Sequence, residues 1–506
     1  MNWEAYCQEF TAYHAARARA LYCEHAGLPV GQPLHAVYEH YSDLFRRESS
    51  EELQKGLESG AFFTSTEKIS AQRMRDALRL EYVAARGREV DNEIARYEAA
   101  SHLTWKTQPV NAGNFPEILS QETHATTRRD LTARWADCVS GGNDLFAERR
   151  MRQQQAAQEL GASGLAELWG AATGVALPTL ARAAEGFLQQ TESLYRAALA
   201  QLARRLWPEA ERSGYSDWLF WQHHSQPHGL FPAHDLLPAY YDFLRGLGWR
   251  ASAQQNLRID AMERPGKRSA TRCFAVSPPA EVIISLTPRN GVSHYRDFFA
   301  CAGRAQHFAY TSTDLTRLHP AFVFTPDTAV NDGYAALFRG FFYDAAWLNA
   351  HRAGLGSEMA FSLARAEALL TLAETRRLCA LLSWETEAAG YADPRDETLL
   401  NSYSTRLTEA TGFQHDGVFA LSATRQPLAA VGHLRGLLLA AALGDYLRVR
   451  YGRRWWAQRR AGDDLADWWN TGSQYTAEEL AQTISRGELS FDLLAENLRE
   501  VLQSKP

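Results

Sequence analysis

Long stretches of the chain space their apolar residues with the period of an α-helix. Apolar residues recur three and four positions apart, between Arg, Glu and Gln, over residues 69–85, 91–106, 131–138 and 180–207. This spacing places the apolar side chains on one face of each helix, and that face is stable only when it packs against another element. The pattern therefore predicts a mainly α fold that begins with an N-terminal helical lobe over residues 1–208.

One short stretch has the composition of β-strands instead. Apolar, β-branched and aromatic residues dominate residues 270–276 and 281–286, and turns rich in Pro and Gly bound the second segment. We predict a small β element over about 270–287 that leads into a helix. The pattern is helical again from there to the end, which predicts a second, helical domain over residues 209–506.

Composition and charge exclude several classes of protein. The 506 residues are 45% hydrophobic, as in soluble globular proteins, and 53 Lys and Arg against 59 Asp and Glu give a net charge of −6. No basic field attracts a phosphate backbone, so we expect no nucleic-acid partner. The first residues carry charge where a signal peptide needs an apolar run. The best uncharged, mainly apolar run, 168–181, contains Pro and is shorter than the roughly 18 residues of a membrane span. We therefore expect no membrane partner and a cytoplasmic location.

Neither the cysteines nor the histidines form a strong metal-binding pattern. The six cysteines lie far apart without a C-x-x-C pair, which argues against a disulfide framework or a zinc knuckle. Four histidines crowd twelve residues, and their neutral imidazoles could hold a divalent metal. Pro and Gly interrupt this cluster, however, and no carboxylate or thiolate completes it at helical spacing. The pattern favours a polar loop that lines or caps a cleft; its histidines are His223, His224, His228 and His234.

A motif downstream carries a resemblance to a known family. The turn Arg264-Pro265-Gly266-Lys267 precedes the strand segments, and Asp297-Phe298-Phe299, Ala302-Gly303, Ala305 and His307-Phe308-Ala309 follow them. This order resembles the core of the thimet oligopeptidase and oligopeptidase F family of zinc metallopeptidases, whose motif helix reads L-F-H-E-x-G-H-A-x-H-F. The resemblance implies a two-lobed, elongated helical fold. It places the motif helix at about 295–311 and a second motif helix at about 329–345.

The residues that would bind zinc in this family are replaced here. The motif needs two His four positions apart, which lie on one helix face, and a Glu that activates the metal-bound water. Ala300 and Arg304 occupy the His positions, and Cys301 occupies the Glu position. Asp332 aligns with the Glu that gives the third ligand in the second helix. The resemblance therefore implies that the zinc expected for the family is lost, leaving no metal ligand set and no cofactor, and we predict an ion pair between Arg304 and Asp332 in its place.

These replacements favour a catalytically inactive, metallopeptidase-like protein that binds a peptide or a protein partner in a cleft between two lobes. We expect Arg304, Asp332, His307, Tyr334 and His433 to contribute to that cleft. His433 stands in the closing helices, where the family has a Tyr that stabilises the oxyanion, and its own role stays open. The oligomeric state is also open, because no feature of the sequence addresses it.

Two catalytic alternatives remain. A hydrolase could use Cys301, because the cation of Arg304 three positions away favours a thiolate. His307 could act as its base, although six positions place Cys301 and His307 on different faces of a straight helix. A metalloendopeptidase could recruit ligands elsewhere, from His294 or the four clustered histidines together with Asp332. A scaffold for an active paralogue is a further possibility. Nucleotide-binding glycine loops and a G-x-S-x-G serine elbow do not occur.

Overall fold

The structure is a computed structural model, and it describes residues 2–62, 64–101, 103–111, 113–206, 214–224, 228–352, 354–485 and 487–504, with the backbone alone at 203–206, 223, 224, 228 and 485.

The N-terminal part is built from helices and one small hairpin. The longest helix, α4, begins with a capping box in which the side chains of Thr64 and Glu67 each accept a backbone N–H from the other residue. The elements are α1 (Trp3–His25), α2 (Leu34–His40), α3 (Arg47–Glu58), α4 (Ser65–Ala100), β1 (Leu103–Trp105), β2 (Gln108–Val110), α5 (Phe115–Gln121), α6 (Ala125–Ser140), α7 (Asn143–Glu159), α8 (Leu165–Thr173) and α9 (Leu177–Leu206).

The remainder is also mainly helical, with a three-stranded sheet before its central helices. The elements are α10 (Tyr215–His224), α11 (Leu236–Gly246), β3 (Leu257–Asp260), β4 (Arg272–Ser277), β5 (Glu281–Ser285), α12 (Val292–Tyr310), α13 (Thr313–Leu318), α14 (Ala329–Arg339), α15 (Ala345–His351), α16 (Ser357–Ala388), α17 (Glu397–Thr411), α18 (Ala420–Ala423), α19 (Ala429–Tyr451), α20 (Arg459–Asn470), α21 (Ala477–Ser485) and α22 (Phe491–Gln503). The predicted mainly α fold class is confirmed. Among the described helices, none combines the length and the apolar character needed to cross a bilayer.

The β structure differs from the prediction in two places. In the sheet, β5 is the central strand, antiparallel to β4 and parallel to β3, and the sequence pattern missed β3. The helical pattern over residues 91–106 was also wrong at its end. The chain leaves the helix at Ala100 and forms the β1–β2 hairpin, in which Lys106 and Thr107 both have positive φ. A tight turn overrides the local apolar spacing there, because two strands can pair only if the backbone reverses.

Residues on both sides of position 208 share one apolar core. Phe187 and Tyr195 of α9 pack in the same buried cluster as Leu372 of α16 and Leu434 of α19. A second buried cluster joins the sheet to α12, α14 and α19. The division of the chain into domains at 208 stays a prediction.

Glycines allow α12, α14 and α19 to approach one another closely. A Cβ at Gly303 of α12 would collide with the carbonyl oxygen of Tyr334 in α14. A Cβ at Gly436 of α19 would lie 2.6 Å from the Cβ of Asp332. Asp332 is therefore enclosed where the three helices meet.

The turn at residues 264–267 has a structural role that the sequence did not reveal. Arg264 donates two hydrogen bonds to the carboxylate of Asp260, at 2.8 and 2.9 Å, and the hydroxyl of Tyr22 donates a third at 3.0 Å. Lys267 donates to the carbonyl oxygen of Asp260 at 2.8 Å. The turn thus joins the end of β3 to α1, far apart in the sequence, around one buried carboxylate.

This carboxylate predicts a pH dependence of stability. Burial alone would raise the pKa of Asp260, but hydrogen bonds from Arg264 and Tyr22 outweigh it and lower that pKa from 3.8 to about 2. The depressed pKa means that the ionised carboxylate stabilises the fold fully above the ordinary pKa and loses this contribution as pH falls toward the folded-state value. We expect Asp260→Asn to cost about 2 kcal/mol of unfolding free energy at neutral pH and progressively less in acid.

Urea unfolding of wild type and variant across that pH range measures the difference. Asp314→Asn, at an aspartate whose side chain is 78% exposed, is the matched control and should change little at any pH. A wild-type advantage over Asp260→Asn that stays constant into acid would contradict the assignment.

Candidate functional site

The positions that correspond to the two motif histidines lie on one face of α12. Ala300 and Arg304, four residues apart, are partly exposed, as is Phe308 in the next turn, and Asp297 is exposed one turn earlier. Most other residues in the middle of this helix are buried. Ala300 and Arg304 therefore share the strip of α12 that solvent can reach.

Arg304 and Asp332 form the ion pair that the sequence predicted. Arg304 Nε lies 3.2 Å from Asp332 Oδ1, and one terminal guanidinium nitrogen donates to the same oxygen. The Asp332 side chain is only 6% exposed, whereas 32% of the Arg304 side chain is exposed. Burial alone would lower the pKa of Arg304, but attraction to Asp332 raises it above the ordinary value, so the guanidinium stays charged.

The second carboxylate oxygen of Asp332 is also engaged. The hydroxyl of Thr328 donates to Oδ2 at 2.8 Å, and Nε2 of His433 on α19 lies 3.8 Å from the same oxygen. The His433 side chain is 52% exposed. The sequence proposed Arg304, Asp332 and His433 as neighbours, and the structure brings them together. Thr328 was missed, because a threonine one turn before an aspartate is common in any helix.

His307 and Tyr334 lie behind this pair. His307 is 1% exposed and Tyr334 is fully buried, with their rings 5.0 Å apart. His307 Nδ1 hydrogen-bonds to the side chain of Asn331, and burial lowers the pKa of His307, which keeps the imidazole neutral. These two residues pack α12 against α14. Of the five cleft residues that the sequence proposed, Arg304 and His433 are the two that solvent reaches to a substantial extent.

Cys301 has the properties of a structural thiol. It is 6% exposed, and its Sγ lies 3.5 Å from the carbonyl oxygen of Thr271. Burial raises the pKa of Cys301 to about 11, although the charge of Arg304 acts in the opposite direction. A buried thiol that stays protonated at neutral pH is a poor nucleophile, which argues against the Cys301 hydrolase.

The residues around Asp332 do not fit a metal ion. A guanidinium, which cannot be deprotonated in a protein, already occupies Oδ1. Over the part of the chain that the structure describes, no three His, Cys, Asp or Glu residues are grouped to hold a metal. His294, suggested as a recruited ligand, therefore belongs to no such group. The side chains of His223, His224 and His228 lie outside the described residues, and His234 is 82% exposed beside Asp235.

Helix α16 adds charged residues that the sequence did not single out. Its Glu367 is paired with Arg296 of α12 at 3.2 Å, and its Glu374 is paired with Arg339 of α14 at 2.5 Å. No signal in the sequence selects these two carboxylates, because α16 carries five glutamates and three arginines among its apolar residues. These pairs tie α12 and α14 to α16 and help to hold the Arg304–Asp332 pair in place.

Comparisons with known proteins locate the fold. No protein-family model matches the chain, and no curated protein matches it. Metallocarboxypeptidase 1 of Trypanosoma cruzi is similar in structure, with a TM-score of 0.66 over 99% of both chains at 14% identity. A carboxypeptidase of Pyrococcus furiosus has a TM-score of 0.61 over 98% of this chain and 97% of its own, at 12% identity. The M32 carboxypeptidase of Deinococcus radiodurans has a TM-score of 0.56 over 99% of both chains, at 14% identity.

The chain therefore has a metallopeptidase-like fold, as the resemblance implied. The comparisons do not identify the family. The three structures are carboxypeptidases, so they support the coarser expectation of a metallopeptidase-like fold and do not select the thimet oligopeptidase and oligopeptidase F family. At such identities the likeness is one of fold, and activity must be argued from the site itself.

Proposed function

We propose that this chain is a metal-independent, catalytically inactive relative of the metallopeptidases that binds a peptide segment at the surface formed by Ala300, Arg304 and His433. We also propose an origin among oligopeptidases of the thimet and oligopeptidase F type, on the strength of the motif order around α12.

The Arg304–Asp332 pair carries this proposal. A catalytic zinc in a peptidase needs about three protein ligands and an open position for water. At the corresponding place this chain offers one carboxylate, with both oxygens engaged, and a fixed positive charge that repels a metal cation. Arg304 also neutralises the charge of Asp332, which would otherwise be buried without a partner.

The exposed groups of this surface suit a peptide backbone. Arg304 has further N–H groups beyond those directed at Asp332, and the half-exposed imidazole of His433 can donate or accept. Peptide carbonyl oxygens are acceptors for such donors. Cys301 occupies the position of the general base, and it is a buried thiol with no carboxylate to activate water.

Metal content tests the inactive site. Protein purified without chelator and incubated with zinc should contain far less than one zinc per chain by mass spectrometry, and it should leave a library of fluorogenic peptides uncut. Stoichiometric zinc together with cleavage that a chelator abolishes would overturn the proposal.

Peptide binding is tested separately, on an array of synthetic peptides of varied sequence. We expect wild type to retain a subset of the peptides, and His433→Ala to retain them at least tenfold more weakly, because a hydrogen-bonding group in contact with the ligand is lost. Arg453→Gln, at an arginine whose side chain is 89% exposed, is a surface control that should bind as wild type does. Equal retention by wild type and His433→Ala would reject this surface as the binding site.

A further inference from the structure

A cavity that includes neither Arg304 nor Asp332 in its lining lies between the two halves of the chain. It has a volume of about 280 Å³ and is lined by residues of α4, α6 and α7 on one side and of α16 and α17 on the other. This volume is slightly below the usual range for small-molecule sites, about 300 to 1,000 Å³, and suits a small ligand. The proposed peptide surface does not use it.

The walls of this cavity are mainly aromatic. They include Phe115, Trp135, Phe146, Tyr215 and Tyr403. Phe115 and Trp135 stack with ring centroids 5.0 Å apart and planes inclined by 24°. Flat aromatic walls of this kind favour a flat apolar ligand, which gains both buried area and ring contacts.

One lining cation lacks a counter-ion. Arg377 of α16 lines the cavity and makes no hydrogen bond and no ion pair with any residue that the structure describes. The two lining carboxylates are engaged elsewhere, since Glu98 pairs with Arg425 at 3.4 Å and Asp416 accepts the backbone N–H of Val418 at 2.9 Å. Arg425 is also held by Asp91, at 3.3 Å. The guanidinium of Arg377 is therefore available to a ligand.

A neutral histidine completes the polar end of the cavity. Nε2 of His415 lies 3.1 Å from the hydroxyl oxygen of Thr411, and that hydroxyl donates its own hydrogen to Leu407 O at 2.7 Å. Nε2 must therefore carry the hydrogen, which leaves Nδ1 as an acceptor. Burial, assisted by the charge of Arg377, lowers the pKa of His415 to about 3, so the histidine adds no second positive charge.

We propose that this cavity binds a small aromatic carboxylate, with the ring against the aromatic walls and the carboxylate on Arg377. A guanidinium binds a carboxylate through two parallel hydrogen bonds, and no other described lining residue offers an unpaired cation. The proposal does not depend on the peptide surface, because none of the residues that it uses belongs to that surface.

Calorimetric titration of the full-length protein tests the proposal with three probes: indole-3-acetate, its neutral amide, and cyclohexylacetate. We expect indole-3-acetate to bind, the amide at least tenfold more weakly because it lacks the charge, and cyclohexylacetate also more weakly because it lacks the aromatic ring. Arg377→Gln should remove the preference for the acid over the amide. Arg377→Lys should keep part of it, because it retains the charge without the planar fork.

Arg453→Gln removes one positive charge from the surface and is the matched control, which should bind the acid as wild type does. Circular dichroism shows whether each variant is folded. Absence of binding to wild type, equal affinity for acid and amide, or a preference that persists in folded Arg377→Gln would each overturn the proposal. Arg304→Lys should leave the affinity for the acid unchanged, which separates this site from the peptide surface.

Discussion

A chain that carries Ala300→His and Arg304→His together should bind one zinc ion per molecule, whereas we expect wild type to bind none. The two new imidazoles would lie four residues apart on the exposed strip of α12, the spacing at which two histidines share one metal. Loss of Arg304 also frees Oδ1 of Asp332, which would become the third ligand. A catalytic zinc site needs only three protein ligands, because water takes the fourth place.

Mass spectrometry of the metal content, supported by the visible spectrum of the cobalt-substituted protein, measures this gain. Ala300→His alone is the matched control, because it keeps the guanidinium on Asp332 and should bind no zinc. A further exchange of Asp332→Asn in the double variant should abolish the site. Cys301 is left unchanged in this design, so the variant has no general base, and we expect zinc binding without peptide cleavage. A folded double variant that remains free of zinc would show that Ala300, Arg304 and Asp332 do not mark a former metal position.

Arg304→Met should lower the free energy of unfolding by about 3 kcal/mol, because it leaves the carboxylate of Asp332 charged and almost fully buried without its partner. Thr328 still donates one hydrogen bond, but a hydroxyl does not replace a full positive charge. His433 lies 3.8 Å away and is half exposed, so it compensates only in part. Methionine keeps the length of the arginine stem, so the loss measures charge more than packing.

A double-mutant cycle isolates the pair. Arg304→Met combined with Asp332→Asn should recover most of the lost stability, because the neutral amide no longer needs a counter-ion. Urea unfolding of the four proteins, followed by tryptophan fluorescence, gives the coupling energy. Arg453→Met is the surface control and should cost little. Additive losses, with no recovery in the double variant, would mean that the two side chains do not interact in solution.

Much of the fold was predictable because it rests on local spacing. The apolar period predicted helices within α4 and α9, and the β-branched run predicted β4 and β5. The β1–β2 hairpin and β3 were not predictable in this way. In the β1–β2 hairpin, the chain reverses its direction at a turn with positive φ at Lys106. The segment β3 is a strand only because β5 lies beside it.

The residue types of the candidate site were predictable from the sequence, but the burial of each side chain was not. The motif order brought together α12 and α14, and with them Arg304 and Asp332, which the structure pairs. The same motif suggested His307 and Tyr334 as cleft residues. Their burial follows from the close approach of the two helices at Gly303, and the spacing of residues along the sequence does not predict this approach.

The sequence by itself determined the mainly α class, the order of the elements that resemble the motif, and the presence of Ala300, Cys301 and Arg304 where the motif has His, Glu and His, because these depend on residue identity and local periodicity alone. Tertiary structure decided which of the remaining side chains solvent can reach. It buried Cys301 as a protonated thiol, placed Asp260 under the turn at 264–267, and left Arg377 without a counter-ion among the described residues, beside aromatic residues from both halves of the chain. Burial and charge pairing arise from contacts between segments far apart in the chain, and such contacts exist only once the helices have packed.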